Sequence, residues 1–454
     1  MEDTIAAIST PIGEGGIAII RISGPLAIQV AEQIYRSREG RPSDFATHTI
    51  HFGTIARNGE TVDQVLLSVM RAPRTYTKED TVEINCHSGI VTIQRILSLC
   101  LQSGARLAEP GEFTQRAFLH GRIDLSQAEG VMDLIRARTD RAQQSAIHAL
   151  QGRLSEKIND AREKLLSIAA HIEAHIDFPE EDISPASRET LHDDTQSVLE
   201  FLQSLLATYR EGKLLREGLP VAIIGRPNVG KSSLLNALLG ENRAIVTPVP
   251  GTTRDTVEEY ANIKGVLFRF IDTAGIRNPR GRVEKLGVER SSQAIDRAEL
   301  ILQVLDSAKP LRKADVEIYQ RNQHKKHMLV LNKCDQPRLL KIPAELENST
   351  SISVSALTGA GLPALCSELV SCASVSDADD TNVHVAINER HRNALERACN
   401  SLTYAVNGFE QQHTGLELIA QQLRVGLNTV GEITGRTATE DILNRVFSTF
   451  CIGK

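Results

Sequence analysis

The feature that most constrains this fold is a glycine-rich loop, Gly225-Arg-Pro-Asn-Val-Gly-Lys-Ser232, which follows an apolar run and precedes a helical pattern. At this spacing, backbone N–H groups can surround phosphate oxygens, the lysine adds positive charge, and the serine hydroxyl can join a magnesium shell. Val221–Ile224 predicts the preceding strand and Leu234–Leu239 the following helix. The sequence therefore predicts a phosphate-binding loop at the carboxyl end of a buried strand.

Further strand-like runs follow this loop and alternate with helical stretches. They are Phe268–Ile271, Leu300–Leu305, Met328–Leu331 and Ile352–Val354. Such alternation is typical of a parallel, doubly wound sheet with helices on both faces. We therefore expect a P-loop α/β domain over residues 218–376.

A second motif decides which base is bound. Asn332-Lys-Cys-Asp335 follows the strand Met328–Leu331. The Asp335 carboxylate can accept hydrogen bonds from the two N–H groups on the guanine edge, whereas adenine would leave this acceptor unpaired at a cost of about 1 to 3 kcal/mol. Ser355-Ala-Leu357, after the next strand, would complete the base pocket. The motif favours GTP and disfavours the alternative of a P-loop ATPase.

Two intervening segments are expected to complete the phosphate and magnesium site. Asp272-Thr-Ala-Gly275 ends a predicted strand, and Thr253 is the expected second magnesium hydroxyl beside Ser232. The predicted GTP-binding residues are Asn228, Val229, Gly230, Lys231, Ser232, Ser233, Thr247, Pro248, Val249, Pro250, Gly251, Thr252, Thr253, Asp272, Thr273, Ala274, Gly275, Asn332, Lys333, Asp335, Ser355, Ala356 and Leu357.

The residue after Gly275 is Ile276, where small GTPases carry a glutamine that orients the attacking water. Isoleucine cannot orient water, so either hydrolysis is slow or another polar group acts. Glu284 is our candidate, with a solvated acid at a helix start as the alternative. Lys231 and Arg254 are the candidate catalytic cations.

The rest of the chain falls into an α+β segment and two helical segments. Short β-rich runs such as Ile17–Ile22 and Val65–Met70 and one helical pattern, Ile90–Leu101, predict the α+β domain over residues 1–120. Helical patterns predict a helical domain in two parts, 121–217 and 377–454, into which the α/β domain is inserted. The last helix is predicted to start at a capping box, Thr437-Ala-Thr-Glu440.

Composition limits the possible partners and compartment. The chain has 454 residues, with 51 Lys and Arg against 57 Asp and Glu, so its net charge is −6 and any nucleic-acid contact must be local. The seven cysteines are scattered, without metal-ligand spacing, which predicts reduced thiols. No apolar run approaches the roughly 18 residues of a membrane span. We expect a cytoplasmic protein.

Four segments carry a resemblance to a known family over nearly the whole chain. They are Thr10–Gly24, Pro110–Phe118, Gly225–Asp255 and the terminal Cys451-Ile-Gly-Lys454. With them the chain resembles the MnmE (TrmE) family of tRNA modification GTPases. The resemblance implies an N-terminal domain that forms a homodimer and binds a 5-formyltetrahydrofolate-type one-carbon carrier. The matching positions for this folate pocket are Arg21, Glu83, Arg122 and Lys454.

The resemblance also implies a reaction and its partners. With the flavoprotein MnmG, in an expected heterotetramer in which FAD belongs to MnmG, the chain would add a (carboxymethyl)aminomethyl group to C5 of the wobble uridine, position 34, of certain tRNAs. Potassium, held by Asn228, Thr247, Val249 and Thr252, would help two G domains dimerise and hydrolyse GTP. Glu284 matches the position that orients water in the family.

Cys451 is the candidate for the modification chemistry. The short tail after the last predicted helix would place it beside the one-carbon carrier, in a nucleophilic or a positioning role. A buried structural thiol is the alternative, and a prenylation box fits the ending Cys-Ile-Gly-Lys poorly. A second functional class stays open, in which GTP binding only recruits a partner, as in GTPases of ribosome assembly.

Overall fold

The computed structural model describes residues 3–177, 188–240, 258–271, 295–343, 346, 349–373, 386–411 and 413–454. The chain divides into two compact units, each built from separate stretches of sequence. The first unit comprises Met1–Met132, Ala149–Leu199 and Arg397–Lys454, and the second comprises Asp133–His148 and Glu200–Glu396.

The N-terminal part of the first unit is a seven-stranded sheet in the order β3-β4-β5-β6-β2-β1-β7. Its strands are β1 (Ile5–Ile8), β2 (Ala18–Ser23), β3 (Tyr35–Arg36), β4 (Thr49–Arg57), β5 (Glu60–Met70), β6 (Thr81–Cys86) and β7 (Arg106–Leu107). All neighbours are antiparallel except β1 and β7. Helices span Ala27–Ile34, Ile90–Gln102 and Glu112–Leu119.

The predicted α+β character of this part is confirmed, and two helices, Ala27–Ile34 and Glu112–Leu119, were missed. The strand runs and the helix at Ile90 lie where the sequence places them. The helix Ala27–Ile34 was not predicted, because its short apolar sequence also fits a strand. The helices Ala27–Ile34 and Ile90–Gln102 bury apolar side chains in one core with β2, β5 and β6.

Helices precede and follow the α/β domain in the sequence, and one from each side pack together in the first unit. Before it, the helices are Leu125–Arg136, Asp140–Leu150, Arg153–Asp177, Arg188–Ala207 and Tyr209–Glu217, and after it they are Glu389–Glu410, Leu416–Thr434 and Glu440–Phe447. Within the first unit, Arg153–Asp177 packs along Leu416–Thr434, and an ion pair of 2.7 Å joins Glu173 to Arg424. The helical domain is therefore discontinuous in sequence.

The capping box predicted at Thr437 is wrong. The last helix begins at Glu440 with Thr439 as its N-cap and without a side-chain capping hydrogen bond. The Thr437 hydroxyl instead donates to the Asn428 carbonyl at 2.7 Å, at the end of the preceding helix. A tertiary hydrogen bond has replaced the local one that the sequence pattern suggested.

The α/β domain contains a six-stranded sheet in the order β13-β12-β11-β8-β10-β9. Its strands are β8 (Leu219–Ile224), β9 (Glu259–Ile263), β10 (Val266–Phe270), β11 (Leu300–Asp306), β12 (Lys326–Asn332) and β13 (Thr350–Ser353). Helices span Lys231–Gly240, Lys313–Asn322 and Leu362–Ala373. The central strands β8 and β11 are buried along their whole length, as strands covered on both faces must be.

The predicted parallel sheet is confirmed for five strands, and β9 is an addition. β9 runs antiparallel to β10 at the edge of the sheet. Lys264 and Gly265 link them with φ values of +49° and +82°, which is the backbone of a two-residue hairpin turn. In the described part of the chain, none of the helices combines the length and hydropathy that a membrane span needs.

Candidate functional site

The phosphate-binding loop lies between β8 and the helix Lys231–Gly240, in the predicted strand-loop-helix order. Asn228 and Gly230 have φ values of +63° and +98°, so the loop turns through the left-handed region. A Cβ on Gly230 would overlap the side-chain amide of Asn332. Glycine is therefore required here, because the base-reading segment closes on the loop.

Lys231 is held over the loop by the loop's own carbonyl groups. Its Nζ donates to the carbonyls of Gly225 at 2.7 Å and Arg226 at 2.8 Å. Burial lowers the pKa of Lys231, because a desolvated ammonium is less stable. Ser232 and Ser233 follow in the first helical turn, where the helix dipole favours an anion. The arrangement suits a bound phosphate chain.

The base-reading segment contacts both the phosphate loop and the segment after β13. Asn332 donates through Nδ2 to the carbonyl of Val229 at 2.9 Å and accepts through Oδ1 from the Ala356 amide at 3.0 Å. Lys333 donates to the Asn228 carbonyl at 3.2 Å. Three of the predicted GTP-binding segments are thus brought together by hydrogen bonds.

The remaining described residues of this predicted site differ in exposure. Asp335 and Leu357 are exposed to solvent, whereas Ser355 is fully buried. The Ser355 hydroxyl accepts from the Thr358 amide at 3.2 Å and so shapes the loop. Asp335 is therefore open to an incoming base, whereas Ser355 supports the backbone around it.

Other predicted residues of the GTP site lie outside the described residues. They are Thr247, Pro248, Val249, Pro250, Gly251, Thr252, Thr253, Arg254, Asp272, Thr273, Ala274, Gly275 and Glu284. Of the predicted magnesium and potassium ligands, Ser232 and Asn228 are described. The described ranges contain no cluster of three or more His, Cys, Asp or Glu side chains arranged to hold a metal ion.

An ion pair that the sequence did not reveal fastens the phosphate loop to the helix Lys313–Asn322. Arg226 Nε donates to Asp315 Oδ1 at 2.7 Å, and the Asp315 side chain is 1% exposed. The Asp315 carbonyl accepts from Gln303 Nε2 at 2.7 Å. Gln303 interrupts the apolar run of β11 between Leu300 and Leu305. A polar residue at this buried position was the sequence signal that could have indicated the contact with Asp315.

Two predicted folate residues, Arg21 and Glu83, pair on the N-terminal sheet, and a third, Arg122, shares the Tyr76 ring with Arg21. Arg21 on β2 lies opposite Glu83 on β6, and Arg21 Nε donates to Glu83 Oε1 at 2.8 Å. The Arg21 guanidinium carbon is 5.6 Å from the Phe113 ring centre. Arg122 stacks on Tyr76 at 4.8 Å and donates to its carbonyl at 3.1 Å. Two cations and two aromatic rings therefore line this site.

The C-terminal tail docks against the same part of the molecule. Ile452 forms a β-bridge with Pro110, and Ser9 Oγ donates to the Gly453 carbonyl at 3.1 Å. Gly453 has a φ of +93°, and a Cβ there would overlap the Ile8 carbonyl. Only glycine lets the tail approach β1 this closely.

The tail brings Lys454 to Arg21 and Glu83. Burial and the nearby Arg21 lower the pKa of Lys454, against the opposing effect of Cys451 and Glu83. Cys451 is exposed, which contradicts the alternative of a buried structural thiol. The structure thus gathers the four predicted folate residues and an accessible thiol within the first unit.

Comparisons with known proteins agree with this organisation. Residues 4–122 match the family model described as GTP-binding protein TrmE N-terminus, and residues 125–451 match the model of the MnmE helical domain. A protein of Clostridioides difficile (strain 630) is 45% identical over 458 residues, covering 100% of both chains. One of Geobacter sulfurreducens is 48% identical over 457 residues, again covering 100% of both. Both are named tRNA modification GTPase MnmE.

Solved structures match smaller parts of the chain. The G domain of the T. maritima FeoB iron transporter is 25% identical, with a TM-score of 0.26, over 34% of this chain and 97% of that one. Aquifex aeolicus Era bound to GDP and AlF4⁻ is 31% identical, with a TM-score of 0.26, over 40% of this chain and 65% of that one. The full-length relatives and the two family models together show that the chain belongs to the MnmE (TrmE) family of tRNA modification GTPases.

Proposed function

We propose that this chain is a GTP hydrolase of tRNA modification that works with the flavoprotein MnmG on C5 of the wobble uridine, position 34. The added group is a (carboxymethyl)aminomethyl group, with its one-carbon unit supplied by a 5-formyltetrahydrofolate-type carrier. The observation that supports this most is the docked tail, because it places Lys454 near Arg21 and Glu83, with the exposed Cys451 close to Lys454, in a chain that also has a phosphate-binding loop.

In this proposal the phosphate loop binds GTP through its backbone and Lys231. Lys231 neutralises charge on the β and γ phosphates, and the hydroxyls of Ser232 and Thr253 would hold Mg²⁺, which would stabilise the charge that develops on the phosphates. Asp335 selects guanine through its two N–H donors. The position of Ser232 in the first turn after the loop supports its part in this role.

Hydrolysis in this proposal depends on potassium and on the pairing of two G domains. Ile276 cannot orient water, so Glu284 does, and Arg254 adds positive charge near the phosphates. Asn228, Thr247, Val249 and Thr252 would hold K⁺, which would offset γ-phosphate charge where an arginine finger otherwise would. The backbone of the phosphate loop turns at Asn228, which has a left-handed φ of +63°. This turn supports the proposal that Asn228 is a ligand of K⁺.

The potassium proposal is tested by steady-state GTP turnover. Wild-type protein should turn over faster in KCl than in NaCl at equal ionic strength. Glu284→Ala should retain GTP binding and lose turnover, because the water is no longer oriented. Equal turnover of Glu284→Ala and wild type would contradict the assignment, and equal rates in the two salts would remove potassium from it.

The folate proposal rests on the chemistry of the residues on the N-terminal sheet. Arg21, Arg122 and Lys454 provide positive charge for the carboxylates of a folate, and the ring of Tyr76 offers a flat apolar surface. Glu83 can accept from ring N–H groups. The bound carrier supplies the one-carbon unit, and Cys451 acts on it or positions it.

We propose a homodimer, formed through the N-terminal domain, that joins MnmG in a heterotetramer, with FAD bound only by MnmG. The net charge of −6 fits an arrangement in which much of the tRNA contact belongs to the partner. The tRNA itself would be the substrate of the joint complex.

Mass spectrometry of wobble nucleosides tests the modification proposal. Cells that lack the chain should lose the modified uridine and regain it with the wild-type gene. Cys451→Ser should not restore it although GTP turnover persists, whereas Cys366→Ser, a half-buried thiol of the α/β domain, should restore it. Normal modified-uridine levels with Cys451→Ser would refute the role of Cys451.

The second candidate is a GTP-dependent switch that recruits a partner without modification chemistry of its own. The docked tail and its exposed thiol favour the tRNA modification enzyme, because a protein that only recruits a partner does not need a thiol for modification chemistry. Folate binding and potassium-dependent turnover separate the two: a switch would show neither.

A further inference from the structure

Lys333, like its neighbour Asn332, reaches from the base-reading segment to the phosphate loop. Its Nζ donates to the Asn228 carbonyl at 3.2 Å, while two residues further along the chain Asp335 is available for the base. The lysine side chain therefore links the base-reading segment to the phosphate loop. Any group that fixes this side chain also shapes the nucleotide site.

Lys333 adopts a conformation that needs support. Its φ is +66°, in the left-handed region that a side chain with a Cβ seldom adopts. Its Nζ donates to Asp306 Oδ2 at 2.7 Å, a shorter contact than the one to Asn228. A hydrogen bond of this length between two charged groups is stronger than the longer one to the neutral Asn228 carbonyl.

Asp306 is built into the sheet at the matching position. It ends β11 and lies opposite Asn332 in the parallel register with β12, so its side chain emerges beside the residue that precedes Lys333. The carboxylate is 2% exposed. Its Oδ1 accepts from the Ala308 amide at 3.1 Å, and exposed Lys309 approaches Oδ2 at 3.5 Å.

The charge of this carboxylate is retained in the fold. Burial raises the pKa of Asp306, but the hydrogen bond from Lys333, the Ala308 amide and the nearby lysines together hold it below its ordinary value. Asp306 is thus an anion that is buried, fixed by the backbone at one oxygen and joined to Lys333 at the other.

We propose that Asp306 is a positioning residue for guanine nucleotide binding, which holds the Lys333 side chain between the base-reading segment and the phosphate loop. Asp306 lies outside every motif of the nucleotide site and acts through Lys333 rather than on the ligand. The inference rests on GTP as the nucleotide of this chain.

The test is GDP affinity, measured by titration calorimetry on the full-length chain. Asp306→Asn keeps an oxygen acceptor for the Ala308 amide but removes the charge that faces Lys333. We expect GDP to bind about tenfold more weakly, the loss typical of one charge-assisted hydrogen bond. The matched control is Lys309→Ala, which removes the other cation beside the same carboxylate and should bind GDP like the wild type.

Turnover and a double-mutant cycle separate positioning from general support of the fold. Asp306→Asn should raise KM for GTP about tenfold and leave kcat within about twofold, because the lysine contact is equal in the ground and transition states. In a Lys333→Met background, Asp306→Asn should change GDP affinity less than twofold. Asp306→Glu should regain part of the lost affinity.

Several outcomes would overturn the inference. Wild-type affinity in Asp306→Asn would do so, as would an equal loss of affinity in both backgrounds. If Asp306→Asn does not fold, Asp306→Ser provides the same test with a short acceptor for the Ala308 amide, and failure of both to fold would show that Asp306 serves the fold instead. A wild-type chain that does not bind GDP would reject the GTP function itself.

Discussion

At the scale of single residues, Arg116 shows how the first unit holds its candidate folate site in place. Its side chain is fully buried and contacts Asp3 at 2.8 Å, Glu79 at 3.0 Å and Glu112 at 2.9 Å. Burial opposes the charge of Glu112, but hydrogen bonds from Arg106 and others hold its pKa below the ordinary range. The network fixes the helix Glu112–Leu119 and with it Phe113, which lies beside Arg21.

Arg116→Met should therefore destabilise the first unit by about 3 to 5 kcal/mol, because it removes the cation that pairs with the largely buried Glu79 and one of the two that pair with Glu112. Urea unfolding followed by circular dichroism measures the loss. The matched control is Arg95→Met, which removes an exposed ion pair with Glu60 and should cost at most about 1 kcal/mol. Equal losses in the two variants would contradict a structural role for the buried network.

The burial of His327 should make the stability of the α/β domain sensitive to acid. Its Nε2 lies 2.9 Å from Gln303 Oε1, and burial lowers its pKa from 6.5 to about 4, against a smaller opposing effect of the Asn322 backbone. Between these pH values the unfolded chain binds a proton that the folded domain does not. The residue therefore stabilises the fold above pH 6.5 and loses this contribution as the pH falls towards 4.

The contribution amounts to about 3 kcal/mol over this range. Unfolding free energies of wild type and His327→Gln, measured from pH 7 to pH 4.5, should converge as the pH falls, since glutamine does not titrate. Parallel profiles for the two proteins would show that His327 titrates normally in the folded state.

At the scale of elements, the terminal tail depends on a close approach of two backbones. Gly453→Ala adds a methyl group against the Ile8 carbonyl at a φ of +93°. The tail should lift from β1 and carry Cys451 and Lys454 away from Arg21. We expect modified wobble uridine to fall at least about tenfold, while the unfolding free energy changes by about 1 kcal/mol, as for other local backbone changes.

The comparison for this prediction is Ile452→Ala, at an exposed neighbouring position. It removes side-chain surface without obstructing the backbone, so modification should persist. A Gly453→Ala chain with normal modified-uridine levels would show that the docked tail is dispensable.

The elements also show how far sequence patterns reach. The phosphate loop, the five parallel strands and the long helices were predictable, because their signals are local spacings of apolar residues and glycines. β9 was not predictable, because the sequence Glu259-Tyr-Ala-Asn-Ile263 alternates polar and apolar residues only weakly. Its strand structure depends on pairing with β10 in a hairpin. The capping box at Thr437 failed because a tertiary hydrogen bond competes for the hydroxyl.

The candidate sites follow the same division. Motif residues such as Lys231 and Asn332 could be found from spacing alone. Asp306 and Asp315 could not, because each reaches the nucleotide site through strand register or helix packing across 27 and 89 residues of sequence, respectively. Residues that position a motif need not lie in one.

At the scale of the whole molecule, the chain order and the folded units do not coincide. The α/β domain interrupts a helical domain whose parts meet across 251 residues, at Glu173 and Arg424. The C-terminal tail returns to the first strands, so the last four residues belong to the N-terminal site. A nucleotide site and a second, cationic site with an accessible thiol are thus carried by one chain.

The central claim, a guanine nucleotide hydrolase, is tested most directly by nucleotide specificity at Asp335. Wild-type chain should hydrolyse GTP with a kcat/KM about ten- to a hundredfold above that for ATP. In Asp335→Asn the amide donates to the C2 oxygen of xanthine, so preference should shift from GTP to XTP. A wild-type chain that turns over ATP as well as GTP, or an Asp335→Asn chain that still prefers GTP over XTP, would contradict the account.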